Sequence, residues 1–271
     1  MNGAEAVLTS LKNEGVDVVF GYPGGAVLTL YDAVYKMKFP HILTRHEQGA
    51  VHAADGYARA TGKVGVVFAT SGPGATNLVT GISTAYTDSV PLVCITGQVA
   101  NSYIGKDSFQ EADVCGITTP ITKHNYLVKK VEDLPRVLKE AFYIARTGRP
   151  GPVVIDVAKD VFDTKLDYAY PESVHLRGYS GENIGDEREI DAVVEAIRAA
   201  KKPLVFAGGG VILSETAGVL QDIVRRLGAP STATLLGLGA IPADEKGFLS
   251  FAGMHGSYGA NMAIQECDLL L

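Results

Sequence analysis

The chain has 271 residues, 24 of them basic and 30 acidic, for a formal net charge of −6, and it is 46% hydrophobic and 20% charged. That length fills one large domain or two ordinary ones, and the composition is that of a folded globular chain, not a disordered one. A mildly acidic balance leaves no footprint for nucleic acid or an anionic membrane, so neither is expected as a partner.

Asn2, with Glu5 three residues later, predicts a capping box opening a helix through Ala6, Leu8 and Leu11. Val16 to Phe20 follows as a short apolar strand ending in Gly-Tyr-Pro-Gly-Gly. Next come a helix near Ala26 to Tyr35, a strand His41 to Thr44 and a helix from about Glu47 to Thr61. Val64 to Thr70 is a third strand, closed by Ser71-Gly72-Pro73-Gly74 and a helix through Tyr86, and Pro91 to Thr96 is a fourth. After an irregular stretch, Leu134 to Arg146 is predicted helical and Val153 to Val157 a buried strand. Nearly all-apolar strands separated by helices indicate a parallel sheet covered on both faces, a doubly wound α/β unit. Periodicity then lapses, and Pro171, Gly178, Ser180 and Gly181 mark an interdomain linker, bounded here as 166–186. A second α/β pattern runs as helix Glu187 to Ala200, strand Leu204 to Ala207, Gly208-Gly209-Gly210 and helix Glu215 to Leu227. It ends in an apolar run, Cys267 to Leu271, that reads as a strand entered but not completed; a truncated chain is the expectation.

No stretch approaches 18 apolar residues and the N-terminus lacks a signal-peptide pattern, so a cytoplasmic protein is expected. Cys94, Cys115 and Cys267 are odd in number and without a C-x-x-C pair, which argues against a disulfide scaffold and a cysteine zinc site. Glycine is abundant, 31 of 271 or about 11% against a usual 7% or so, and it clusters at strand ends.

In an open α/β sheet, ligands bind beyond the carboxyl ends of the strands. Gly21-Tyr22-Pro23-Gly24-Gly25, Arg45-His46-Glu47-Gln48, Thr70-Ser71-Gly72-Pro73-Gly74 and Gly97-Gln98 all fall there. Alone, Gly24-Gly25 reads first as a turn, Glu47 as a complement to a helix dipole and His46 as an ordinary histidine. Yet Gly49, Ala50, Ala53, Ala54 and Gly56 make the helix after Glu47 fit for close packing, which would place its carboxylate in a partly dry cleft. The Ser-Gly-Pro-Gly turn lacks the lysine of a P-loop and is no G-x-S-x-G elbow. No His/Asp/Glu spacing resembles a metal site.

These motifs resemble the acetohydroxyacid synthase (acetolactate synthase) catalytic subunit, a thiamine-diphosphate enzyme family. The resemblance spans residues 1–271 and is most specific in Phe20-Gly21-Tyr22-Pro23-Gly24-Gly25-Ala26, Arg45-His46-Glu47-Gln48-Gly49-Ala50 and Gly56-Tyr57-Ala58-Arg59-Ala60. It continues through Ala69 to Asn77, Thr96-Gly97-Gln98-Val99, Phe109-Gln110-Glu111 and Gly148-Arg149-Pro150-Gly151-Pro152-Val153. It implies a pyrimidine-binding domain over 1–165, a linker over 166–186 and a truncated Rossmann-like central domain over 187–271, with the diphosphate-binding domain and its Mg2+ ligands absent. By the resemblance, Glu47 serves the aminopyrimidine N1′ of thiamine diphosphate, while Gly25, Phe109 and Gln110 sit by the reacting centre and Lys159 at the entrance. Lys159 alone reads equally as a solvated lysine after a strand.

The implied reaction decarboxylates pyruvate and condenses the resulting two-carbon unit with pyruvate or 2-oxobutyrate, giving 2-acetolactate or 2-aceto-2-hydroxybutyrate for branched-chain amino acids. FAD contacts are implied for Arg149 and Asp88, with Phe109 near, and for Gly208, Gly209, Gly210, Thr234, Leu235, Gly253, Met254 and His255. The resemblance also implies a homodimer or higher oligomer sharing its active site, and it allows a small regulatory subunit. This stretch alone is expected to be inactive. Ala158-Lys159-Asp160 stands where the family commonly has Pro-Lys-Asp, and Lys106 and Ser108 replace its usual Thr and Ala; both bear on substrate preference. The alternatives are a catabolic acetolactate synthase without FAD, another thiamine-diphosphate decarboxylase or oxidase, and a domain that folds without turning over.

Overall fold

The computed structural model describes residues 1–181 and 185–271. They fall into two compact units, Met1–Asn183 and Ile184–Leu271.

The first unit is an α/β sandwich. In chain order it contains α1 (Gly3–Asn13), β1 (Val19–Gly21), α2 (Leu28–Lys36), β2 (His41–Leu43), α3 (Glu47–Thr61), β3 (Gly65–Ala69), α4 (Pro73–Thr76) and α5 (Val79–Asp88). Then follow β4 (Leu92–Gln98), α6 (Val114–Thr118), β5 (His124–Val128), α7 (Leu134–Arg146), β6 (Pro152–Ala158) and α8 (Lys159–Asp163). Its six strands are ordered β2-β1-β3-β4-β6-β5, and every pairing is parallel. Side chains alternate across this sheet. Val66, Phe68, Val93, Ile95, Val153 and Ile155 pack with α1, α2 and α7 on one face. Val67, Ala69, Leu92, Cys94 and Val154 pack with α3 and α5 on the other.

The chain turns from β1 to β2 on one side, then crosses back to β3 on the other, so the order reverses between β1 and β3. That reversal is where an open sheet leaves a crevice at its carboxyl edge.

α1 opens with the predicted capping box, Asn2 and Glu5 exchanging side-chain hydrogen bonds with each other's backbone at 2.9 and 3.0 Å. The expected helix Glu47 to Thr61 is present, stopped by Gly62 in the left-handed conformation at φ 71°. β5 lies in the stretch predicted to be irregular. It is an edge strand, His-Asn-Tyr-Leu-Val, with only Val128 buried, so it lacks the apolar run that marks its neighbours.

Most of the segment predicted to be a linker is fastened to the first unit. Asn2 bridges Lys165, and the Leu166 amide donates to the Met1 carbonyl at 3.0 Å. The Tyr168 hydroxyl lies 3.1 Å from Ser10 Oγ, Tyr170 donates to Glu14 at 2.7 Å, and the Tyr179 hydroxyl meets Lys123 and Thr147. Residues 182–184 of that segment lie outside the described residues.

The second unit holds α9 (Glu187–Ala199), β7 (Pro203–Ala207), α10 (Gly210–Leu213), α11 (Ala217–Leu227), β8 (Ser231–Ala233), β9 (Phe248–Phe251), α12 (Tyr258–Glu266) and β10 (Leu269–Leu270). Its parallel sheet is ordered β10-β7-β8-β9 around a small core that includes Val205, Ala207, Val224 and Ile241. The helix predicted from Glu215 begins at Ala217, because Glu215 itself adopts φ 57° and breaks the path from α10. Among the described residues no helix is long and apolar enough to cross a membrane.

Candidate active site at the carboxyl edge of the first sheet

Glu47 heads α3, and the buried residues of that helix are Glu47, Ala50, Val51, Ala54, Asp55 and Ala58, spaced three and four apart. Helical periodicity thus carries the carboxylate into the protein with the apolar stripe, leaving it 7% exposed. Small residues permit the close approach: a Cβ on Gly81 would stand 2.2 Å from Val51, and one on Gly65 2.3 Å from the Ala54 carbonyl. His46 is exposed and caps the helix, its Nδ1 accepting from the Gln48 amide at 3.1 Å.

Asn77 Nδ2 donates to Glu47 Oε2 at 2.9 Å. Oε1 accepts no hydrogen bond among the described residues and faces Gly74, where a Cβ would come within 3.3 Å. The carboxylate is therefore fixed by one oxygen and available through the other. Its field, after burial, is the second cause that raises the Tyr31 phenol above its ordinary range.

The Ser71–Gly74 turn joins this carboxylate to a cavity of about 560 Å³. The cavity walls include Gly25, Ser71, Tyr103, Phe109, Gln110 and Lys159. Four predicted site residues, Gly25, Phe109, Gln110 and Lys159, thus meet around one space. Gly72, at φ 56°, lies flat against Gln110, with its Cβ direction 2.6 Å from the Gln110 carbonyl oxygen. The turn after β1 is tied to the turn after β3 by the Ala26 amide, which donates to Thr70 Oγ1 at 3.2 Å; a Cβ on Gly24 would collide with Thr70 at 2.5 Å. Phe109 is 88% exposed and Gln110 holds φ 59°. Lys159 is exposed at the start of α8, beside Asp160, whose carboxylate accepts from the Asn101 amide at 3.1 Å and fixes the rim near Tyr103.

Sequence reasoning gave no role to Asn77, Asp160 or Asp156. On β4 and β6, Thr96 and Gln98 donate to Asp156 at 2.6 and 2.8 Å, and all three are buried. A lone charge inside the run Val153 to Val157 was the available signal. Burial first, and then the Asp113 carboxylate, drive the Asp156 carboxyl up to about 6 against the opposing bonds from Thr96 and Gln98; Cys115 is the other titratable neighbour. With the folded value above the ordinary 3.8, the proton is held more tightly in the native state. The stabilisation is complete below about pH 4 and lost as the pH rises through 6. Asp156→Asn removes this dependence. Relative to the parent, its unfolding free energy should climb by about 3 kcal/mol between pH 3.8 and 7, at about 1.4 kcal/mol per pKa unit. Denaturant titrations across that range would show it, and parallel curves would refute it.

The predicted flavin residues are distributed. Arg149 lines a separate cavity of about 250 Å³ with Tyr86, Thr122, Lys123 and Pro150, donating to Ser89 Oγ at 2.7 Å and the Thr87 carbonyl at 2.9 Å. Asp88 pairs with Arg59 at 2.7 Å. Phe109 belongs to the larger cavity, not to the one beside Arg149. In the second unit, Gly208, Gly209 and Gly210 follow β7, with open space at the Cβ directions of Gly208 and Gly210. Thr234 follows β8 and caps the turn carrying Leu235, accepting from the Gly237 amide at 3.0 Å. Gly253, at φ 117°, Met254, 91% exposed, and His255 follow β9. Among the described residues no three His, Cys, Asp or Glu side chains are grouped to hold a metal ion.

Residues 1–117 match the family described as thiamine pyrophosphate enzyme, N-terminal TPP binding domain, and residues 190–271 match its central domain. The acetolactate synthase large subunit of Haemophilus influenzae is 55% identical over 274 residues, covering 100% of this chain and 48% of that protein. The acetolactate synthase isozyme 3 large subunit of Escherichia coli K12 is 52% identical, with 100% and 48% covered. The probable acetolactate synthase large subunit of Methanocaldococcus jannaschii is 50% identical, with 100% and 46% covered. The chain spans about half the length of these relatives.

Proposed function

The chain belongs to the thiamine pyrophosphate enzymes, carrying their N-terminal and central domains, and we propose that it serves an acetolactate synthase large subunit as the half that activates the cofactor and shapes the 2-oxo acid cavity. The observation that carries this reading is the position of Glu47: buried, held by Asn77 through one oxygen, unpartnered at the other, and facing Gly74 of the turn whose Gly72 backs Gln110. A largely buried carboxylate with one free lone-pair edge fits a ring N–H donor, and the glycine beside it leaves room for a flat ring.

Bound thiamine diphosphate supplies the nucleophilic carbon and the electron sink that decarboxylation of a 2-oxo acid requires. Glu47 Oε1 would accept a hydrogen bond from the aminopyrimidine N1′–H and hold that proton in place, which favours the tautomer whose exocyclic nitrogen, across the ring, can serve as a base. Phe109 keeps water from the reacting centre and Gln110 orients the acceptor's carbonyl through its amide. Gly25 leaves space beside them. Lys159 draws carboxylate substrates, pyruvate and 2-oxobutyrate, to the entrance. For FAD, the first unit by itself offers Arg149 and Asp88, and the second unit by itself offers the glycine turn Gly208–Gly210 with Thr234, Leu235, Gly253, Met254 and His255. Mg2+ is held with the diphosphate by residues outside this chain. The working protein is a homodimer or larger, in the cytoplasm, with a small regulatory subunit as an added partner.

The protein expressed from its complete gene should form 2-acetolactate from pyruvate with thiamine diphosphate and Mg2+, and 2-aceto-2-hydroxybutyrate when 2-oxobutyrate is added. A purified preparation should show flavin absorbance, which Arg149→Ala lowers. Acetolactate without bound flavin would favour the catabolic enzyme; release of carbon dioxide with no condensation product would overturn the synthase reading.

A further inference from the structure

Gln98 makes more bonds than a side chain needs to sit in a sheet. One hydrogen of its amide goes to Asp156 Oδ2 and the other to the Ala112 carbonyl, each at 2.8 Å, while its oxygen accepts from the Val99 amide at 2.9 Å. The Asp156 carboxylate is 1% exposed and can only accept when ionised, so it dictates which way the amide faces. Flipping Gln98 would set an oxygen against both a carboxylate and a carbonyl. Ala112 is the exit of the segment that carries Phe109 and Gln110. The same segment is closed internally by Glu111, which accepts from the amides of Gly105, Lys106 and Ser108 and from Ser108 Oγ.

Two clamps thus hold residues 105–112, one made by the loop itself and one supplied by β4 and β6. We propose that Asp156 is a positioning residue: through Gln98 it fixes Ala112, and with it the placement of Phe109 and Gln110 in the cavity. The placement stands on this geometry alone, while its consequence for turnover rests on the synthase reading above.

Asp156→Ser keeps a hydroxyl beside Thr96 but withdraws the group that orients Gln98. Asp156→Asn can still accept from Gln98 while its amide nitrogen donates to Thr96. In the protein from the complete gene, hydrogen exchange of the peptide spanning 105–112 should quicken at least tenfold in the serine variant and stay within about twofold of the parent in the asparagine variant. The KM for pyruvate should rise at least fivefold in the serine variant with thiamine diphosphate affinity unchanged, and return toward the parent value in the asparagine variant. Unchanged exchange in a folded serine variant overturns the proposal whatever the enzyme makes, as does equal acceleration in both variants. If the serine variant does not fold, Gln98→Met, which donates to neither Asp156 nor Ala112, takes its place under the same criterion. Exchange that behaves as expected in a protein making no acetolactate would sustain the positioning role and refute the synthase reading.

Discussion

Replacing Glu47 with glutamine should lower the rate of 2-acetolactate formation by about 10²- to 10⁴-fold, the usual worth of a positioned acid–base group. The substitution preserves size, so the packing of α3 and the contacts of Ala50, Val51 and Ala54 are retained. The amide oxygen can still take the hydrogen bond from Asn77, which turns the new NH2 toward the position of Oε1. An amide nitrogen there donates to the ring nitrogen where the carboxylate accepted, and so favours the wrong tautomer. Initial rates of the parent and variant, with thermal unfolding as a control, are sufficient. A variant within threefold of its parent at equal stability would remove Glu47 from the chemistry.

The second large effect is expected at Gly72. Its φ of 56° and ψ of −116° lie in a region that side-chain-bearing residues rarely occupy, at a cost of about 1–3 kcal/mol. Its Cβ direction also ends 2.6 Å from the carbonyl oxygen and 3.0 Å from the carbonyl carbon of Gln110. Those are main-chain atoms, so no rotamer relieves the contact; either the turn after β3 or the loop carrying Phe109 must shift. Gly72→Ala should therefore lose at least tenfold in activity and about 1–3 kcal/mol in stability. Gly49→Ala is the matched control. It lies on the same strand-end side in α3 with open space at its Cβ, and should be neutral or slightly stabilising. If both substitutions behave alike, the contact between the two turns has no functional weight.

Among the elements most legible in the sequence were those whose burial is one-sided or complete. β3, β4 and β6 are buried at every position and read as apolar runs. α7 spaces Leu134, Val137, Leu138, Ala141, Phe142 and Ala145 along one face. β5, β8 and β9 escaped: only Val128 of the edge strand β5 is buried and β8 and β9 are three or four residues long, although the equally short β1 and the exposed edge β2 were read. The cavity was legible as a convergence of strand-end turns. The means by which it is built was not: the positive φ of Gln110 answers to Gly72, and Gln98 answers to Asp156, partners distant in sequence. Asp156 left a trace as a charge in an apolar strand, but its consequence depends on what the neighbouring strand places opposite it.

The pairing of residues 1–2 with 165–166 brings the start of the first unit beside the residues that follow its last helix, α8. Up to residue 166 its path is in effect a ring, closed by that pairing. Such a ring tolerates being joined there and opened elsewhere. A circular permutant that starts at the exposed Lys63, after the Gly62 stop of α3, would keep every strand pairing of the sheet, and could carry a second domain at a new place without altering the order in which the cavity walls meet.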